Sequence, residues 1–260
     1  MFRKLLSFCC CFCILSLTIA VSAQQKKIIP KKGEVVFTSE NIILDEVLFN
    51  ATMKGIQQKM INHLRAKLEL EGNQKIDTTL LQQFISTNIM ADYMVQQKHK
   101  NSHHVYENRF IKSFESADET IPHSFSYINQ DSSNYVRRQV LDGDTSETEA
   151  TAFEYQKNRD ITIKEFKQEQ KIINGFKCFK VTYQYKEDFD GDEELGAILT
   201  TNEYSTTEFW VTTDIQSLFH PVCRIKEILV KYYPLEISQQ SSLAKGFKII
   251  HRLKNITLSN

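Results

Sequence analysis

The stretch ITIKEFKQEQKIINGFKCFKVTYQYK, residues 161–186, decides the fold class. Asn174-Gly175 lies between two runs rich in β-branched and aromatic residues, and both positions tolerate the positive φ of a type I′ turn. A two-residue loop there sets Ile173 opposite Phe176, Glu169 opposite Lys180, Gln168 opposite Val181 and Phe166 opposite Tyr183. An opposite-charge pair and an aromatic pair thus fall into register together. Along the second strand Phe179, Val181, Tyr183 and Tyr185 share one face, and Lys180, Thr182 and Gln184 take the other. Ile161 and Ile163 have the opposite parity to Phe166, which predicts a bulge or the end of regular pairing near Lys164 and Glu165.

Outward from this hairpin the chain reads as β structure nearly to its end. Strands are predicted over 34–38, 105–113, 124–129, 135–141, 152–156, 161–171, 176–186, 206–213, 222–233 and 246–258, with a turn at Asp142-Gly143-Asp144. In the last strand Phe247, Ile249 and Leu253 share a parity that Ile256 and Leu258 do not. Such slips belong to strongly bent strands, as in a sheet that curls around something. The acidic run around Asp188, Asp190, Asp192, Glu193 and Glu194 has its glycine too early for a calcium loop and reads as an exposed hairpin connection.

A different period marks residues 44–97. Phe49, Met53, Ile56, Met60, Leu64 and Leu68 recur at three- and four-residue steps, the stripe of a helix ended by Gly72-Asn73. A second helix, capped by Asp77 or Thr78, carries Leu81, Phe84, Ile85, Ile89 and Tyr93. The pair is expected to pack on the sheet. His99, His103 and Glu107 would share a face if this helix continued, a spacing that binds transition metals, yet no HExxH pattern is present and the neighbours Lys98, Lys100 and Asn101 read as a solvated connection. No metal or other cofactor is expected.

The N-terminus carries an export pattern. Arg3 and Lys4 precede an uncharged apolar run from Leu5 to Ala20, and Val21-Ser22-Ala23 supplies small residues before Gln24. We read residues 1–23 as a signal peptide, against an uncleaved membrane anchor, followed by a flexible lead-in over 24–32 and one domain over 33–260. Cleavage removes Cys9, Cys10, Cys11 and Cys13 and leaves Cys178 and Cys223, a candidate disulfide in an oxidising compartment or else two buried thiols. It also leaves 30 basic against 32 acidic residues. With that balance no polyanion-binding face is expected, which sets nucleic acid aside.

Ile173-Asn174-Gly175-Phe176-Lys177-Cys178 and Trp210-Val211-Thr212-Thr213-Asp214-Ile215 resemble the I-x-G-[YF]-x-C and W-x-T-x-[DE]-I signatures of the GLPGLI family, secreted proteins of Gram-negative bacteria. Pro234-Leu235-Glu236-Ile237 and the closing strand resemble the end of the same pattern, although the Gly-Leu-Pro-Gly-Leu-Ile segment that names the family is absent. The resemblance implies a LolA-like half-barrel: a curved, mostly antiparallel sheet, α+β in class, with helices across its concave side. It also implies a place in the periplasm or on the outer cell surface.

Three functions follow from such a fold. The first is a binding protein that holds a lipid or other apolar ligand between sheet and helices, with Phe179, Val181, Tyr183, Phe209 and Val211 as the cavity wall. Against this stands a filled core made of the same side chains. The second is an interaction or structural module with an envelope protein partner and no small ligand. The third, an enzyme, finds no support in a G-x-S-x-G, HExxH or Walker pattern, so no catalytic residues are expected.

Overall fold

The computed structural model describes residues 27–70, 100–116, 124–141, 144–188, 196, 199 and 201–260. Among them, one antiparallel sheet of twelve strands and a long helix near the N-terminus make the α+β architecture that the sequence predicts. The elements are β1 (Lys32–Ile43), α1 (Glu46–Leu70), β2 (Asn101–Glu107), β3 (Phe110–Ser116), β4 (Ser124–Asn129), β5 (Asn134–Leu141), β6 (Asp144–Glu147), β7 (Thr151–Ala152), β8 (Asn158–Ile173), β9 (Phe176–Glu187), β10 (Ser205–Thr212), α2 (Lys226–Leu229), β11 (Tyr233–Gln240) and β12 (Phe247–Ser259). The segment expected to be a signal peptide, the expected helix end at Gly72-Asn73, the expected second helix, His99, the expected turn at Asp142-Gly143 and most of the acidic run lie outside the described residues.

The strand order is β6-β5-β4-β3-β2-β1-β12-β11-β10-β9-β8, with β7 also on β5. The last strand therefore lies beside the first, and two consecutive strands, β7 and β8, lie at opposite ends of the sheet. Ten inter-strand spacings separate those ends, about 48 Å if the sheet were flat. The chain from Ala152 to Asn158 reaches roughly 22 Å at full extension. The sheet must therefore curl, and the 153–157 crossover spans its concave side.

Curvature is helped by register shifts. The parity slip expected in the last strand is real: Val36 pairs with Asn255 but Phe37 with Leu253, so one residue of β12 is left over. In the β8–β9 hairpin the turn forms at Asn174, φ 47°, and Gly175, φ 84°, and Ile173 faces Phe176 as predicted. Two irregularities, between Arg159 and Thr162 and between Phe166 and Gln170, flank Lys164 and Glu165, which are themselves regularly paired. Consequently Ile163, not Phe166, faces Tyr183, and Glu165 faces Val181. Gln170 Nε2 donates to the Lys167 carbonyl at 2.7 Å, holding the three unpaired residues as a local loop. Glu169 still reaches Lys180, at 3.7 Å, and the Lys180 ammonium sits 5.7 Å over the Phe166 ring.

Three predicted strands are replaced by other structure. Of residues 152–156 only Ala152 lies in a strand, and the rest form the crossover. Residues 105–113 are split between β2 and β3 by a turn at Asn108, φ 58°, a side chain that accepts the left-handed region without glycine. Residues 222–232 are not a strand; they contain α2 and lie over the concave face, and β11 starts only at Tyr233. The lead-in is also anchored from Ile28, whose N–H donates to the Asp214 carbonyl at 2.7 Å and whose carbonyl accepts from Gln216 N at 2.9 Å.

Helix α1 begins at an Asp45 cap, with Leu48 N–H donating to Asp45 Oδ1 at 2.9 Å. Phe49, Met53 and Ile56, on the predicted stripe, are buried against Ala244 and Phe247, and Phe49 stacks on Phe247 at 5.2 Å. Gly246, φ 75°, makes the docking possible, because a Cβ there would stand 2.4 Å from the Asp45 carbonyl oxygen.

Candidate binding cleft

The concave face is divided into a packed half and an open half. On β1, Val35, Phe37, Ser39 and Asn41 point to the same side of the sheet. Val35 and Phe37 are completely buried beneath the crossover and residues 213–232, with Phe153 and Phe219 packed edge to face at 5.0 Å above them. Ser39 and Asn41 lie beyond that cover and line a cleft.

The five residues predicted as a cavity wall all belong to the packed half. Val181, Tyr183, Phe209 and Val211 are fully buried, and Phe179 packs beside them at 5.4 Å from the Tyr232 ring. Their partners are Cys223, Ile225, Ile228, Leu229 and Tyr232 of the cover. The Tyr183 hydroxyl accepts from Asn158 Nδ2 at 3.0 Å, and burial pushes its pKa up to about 12. These side chains line neither of the two cavities described here.

The cleft itself encloses about 410 Å³. Its floor comes from adjacent strands: Ser102 on β2, Ser39 and Asn41 on β1, and His251 on β12. Phe247 and Ile249 form its β12 flank, Pro221, Val222 and Arg224 reach over it from the cover, and Lys100 and Glu115 stand on the β2–β3 side. Ser39 Oγ and His251 Nδ1 are 2.6 Å apart, and burial lowers His251 to a pKa of about 4, so the ring is neutral at pH 7. Lys100 pairs with Glu115 at 3.6 Å. Arg224 donates from Nη1 to the Glu154 carbonyl at 3.2 Å, with its guanidinium carbon 4.2 Å above the Phe153 ring.

A buried polar seam fastens the cover to the sheet. Tyr106 Oη and Ser217 Oγ both donate to the Phe219 carbonyl, at 3.2 and 2.9 Å. His220, fully buried between Phe37 and Tyr233, bridges the cover and β11 through both ring nitrogens, and burial lowers its pKa to about 3. None of these residues was singled out from the sequence; a histidine inside an apolar run, Leu218-Phe219-His220-Pro221-Val222, is the signal that was there to read.

The candidate disulfide does not form: Cys178 and Cys223 are both free and buried. Cys178 alternates with Phe179 on β9 and so points to the opposite face, where it joins the Ile215 side of the core, whereas Cys223 packs with Val181 beneath the cover. The histidine cluster does not converge either. His103 and His104 are neighbours on a strand, not a helix, and face opposite sides. His103 is held between Glu34 and Ser116, each at 3.0 Å, and His104 is buried. Among the described residues no group of three His, Cys, Asp or Glu could hold a metal ion.

The motif residues around Trp210 build structure. The Lys171 ammonium sits 4.2 Å over the Trp210 ring and pairs with Glu236 at 3.0 Å, while Ile215 bridges to Ile28. A second cavity, about 360 Å³, lies on the other side of Phe247 and is lined by Leu44, Leu48, Tyr204 and Lys245 among others.

No family model matches the chain, and no curated protein matches it in sequence. Among solved structures it is similar to the lipoprotein LppX of Mycobacterium tuberculosis, at 9% identity and a TM-score of 0.30, with 86% of each chain covered. It is also similar to LprF from Mycobacterium bovis, at 9% identity and a TM-score of 0.24, over 62% of this chain and 74% of that one. Superpositions at these scores carry no argument about ligand or descent.

Proposed function

We propose that the protein is an exported, non-catalytic binding protein of the periplasm or cell surface of a Gram-negative bacterium, and that it holds a lipid or another amphipathic ligand on the concave face of its sheet. The observation that carries this reading is the cleft of about 410 Å³ left where the cover stops, a volume within the range of small-molecule sites. Support also comes from the export pattern of residues 1–23 and from the motifs at 173–178 and 210–215, on which kinship with the GLPGLI family and its LolA-like half-barrel rests. The ligand site in this reading is the open half of the concave face, with Phe179, Val181, Tyr183, Phe209 and Val211 as the packed floor beside it. Native mass spectrometry of the mature protein purified from its own envelope tests it: a retained mass, released by denaturing lipid extraction, is expected. A bare chain with nothing above background in the extract would sink it.

A second reading, an envelope interaction module, is favoured by one observation. Leu44, Val47 and Leu48 at the start of α1 are 57, 81 and 43% exposed, and Tyr204 beside them is 50% exposed. Cross-linking in the intact envelope should then yield a specific heteromeric adduct through this end of the molecule. Recovery of the monomer alone counts against it.

A further inference from the structure

We infer that the cleft selects an amphiphile with a negatively charged oxygen head over a wholly apolar lipid. This rests on the cleft being a ligand site, and it specifies the chemistry of that site.

The argument begins with charge. Lys100 and Glu115 stand 3.6 Å apart and offset each other. The floor histidine, His251, is uncharged at neutral pH. Arg224 contributes the remaining charge: its partners are the Glu154 carbonyl and the Phe153 ring, and no carboxylate among the described residues pairs with it. The cleft therefore carries one uncompensated positive charge on a guanidinium, the side chain whose planar fork suits carboxylate and phosphate oxygens.

Donor supply points the same way. Ser102 lines the cleft, and its hydroxyl can donate to a ligand oxygen. Across the sheet order β3-β2-β1-β12 the lining changes from Lys100 and Ser102 to Ile249 and Phe247. One flank thus offers donors to a head, and the other offers apolar contact to a chain. A ligand without a charged head would cover the Arg224 guanidinium without offering it a counter-charge, which is a penalty rather than a neutral outcome.

The test uses the mature protein and three probes of equal chain length, laurate, monododecyl phosphate and dodecanol, titrated below their aggregation thresholds by calorimetry. At least one of the two anions is expected to bind about tenfold or more tighter than dodecanol. Which anion binds tighter distinguishes a carboxylate source from a phosphate source. Arg224→Gln, whose side chain is exposed at the cleft and whose fold is checked by circular dichroism, should reduce the anions to the affinity of dodecanol. Ser102→Ala should weaken the anions severalfold and leave dodecanol unchanged. Equal binding of all three probes, or a preference that survives Arg224→Gln, overturns the headgroup inference and leaves the cleft reading in place. Failure of all three to bind overturns both.

Discussion

His220 ties the cover to strand β11 through Pro234: its Nε2–H donates to the Pro234 carbonyl at 3.0 Å. At the same time Nδ1 accepts from the backbone N–H groups of Val222 and Cys223, at 3.2 and 3.0 Å. Two donors on Nδ1 require that nitrogen to be unprotonated, so the ring is the neutral Nε2–H tautomer.

Replacing this ring should be expensive. His220→Ala leaves two buried N–H groups and one carbonyl without partners, at about 1–3 kcal/mol each, in addition to the packing lost against Phe37 and Tyr233. A fall in the urea midpoint of this order is expected, with faster hydrogen exchange at Val222 and Cys223. An unchanged midpoint would show that the cover is held by its apolar contacts alone.

Acid should loosen the fold well before the carboxylates titrate. His104 is held well below its ordinary pKa of 6.5 by burial first and by His220 and Arg224 next; His220 is lowered to about 3 and His251 to about 4. A group with a lowered folded pKa is neutral in the folded state while the unfolded chain takes up protons. The contribution is therefore complete above pH 6.5 and lost as pH falls, until the folded pKa is reached. Each of these histidines removes about 1.4 kcal/mol per pH unit over that window. Urea midpoints measured from pH 7.5 to 4.5 should fall steeply below 6.5, and a flat profile would contradict the buried neutral rings.

Phe209 separates core from ligand wall. Phe209→Ala should cost about 3–5 kcal/mol of stability. Affinity for a ligand in the cleft should not change, since Phe209 lies under the cover and not on the cleft lining. A large loss of affinity with small loss of stability would restore the packed half as the binding wall.

Both thiols should be inert in the native protein. Burial raises Cys178 to about 11 and Cys223 to about 12, so neither forms appreciable thiolate at pH 8. Iodoacetamide should label neither residue until denaturant is added and then label both. Recovery of a 178–223 crosslinked peptide would refute the assignment of opposite faces.

The sequence made much of this architecture legible where a periodic signal was local. The Asn174-Gly175 turn, the α1 stripe from Phe49 and the slip before Ile256 are all contained within a few residues. The Asn108 turn was missed because it contains no glycine or proline. The cover, expected as a strand over 222–233, carries helical spacing at Ile225, Ile228, Leu229 and Tyr232, and these are the residues that bury. The cleft had the weakest signal. Its lining is drawn from strands distant in sequence, and only the change on one face of β1 from Phe37 to Ser39 and Asn41 marks where the cover stops.

The placement of β12 beside β1 sets when this molecule can finish folding. Phe37 pairs with Leu253 and Lys32 with Ser259, contacts between the first strand of the chain and the last. Without residues 247–259 the sheet is two separate fragments, β1 to β7 and β8 to β11, joined only by the crossover. Closing so long a loop is slow, since its chain entropy is lost before the contacts form. A chain made from its N-terminus onward therefore cannot zip its two halves together until β12 has been synthesised, so the first eleven strands wait on the last.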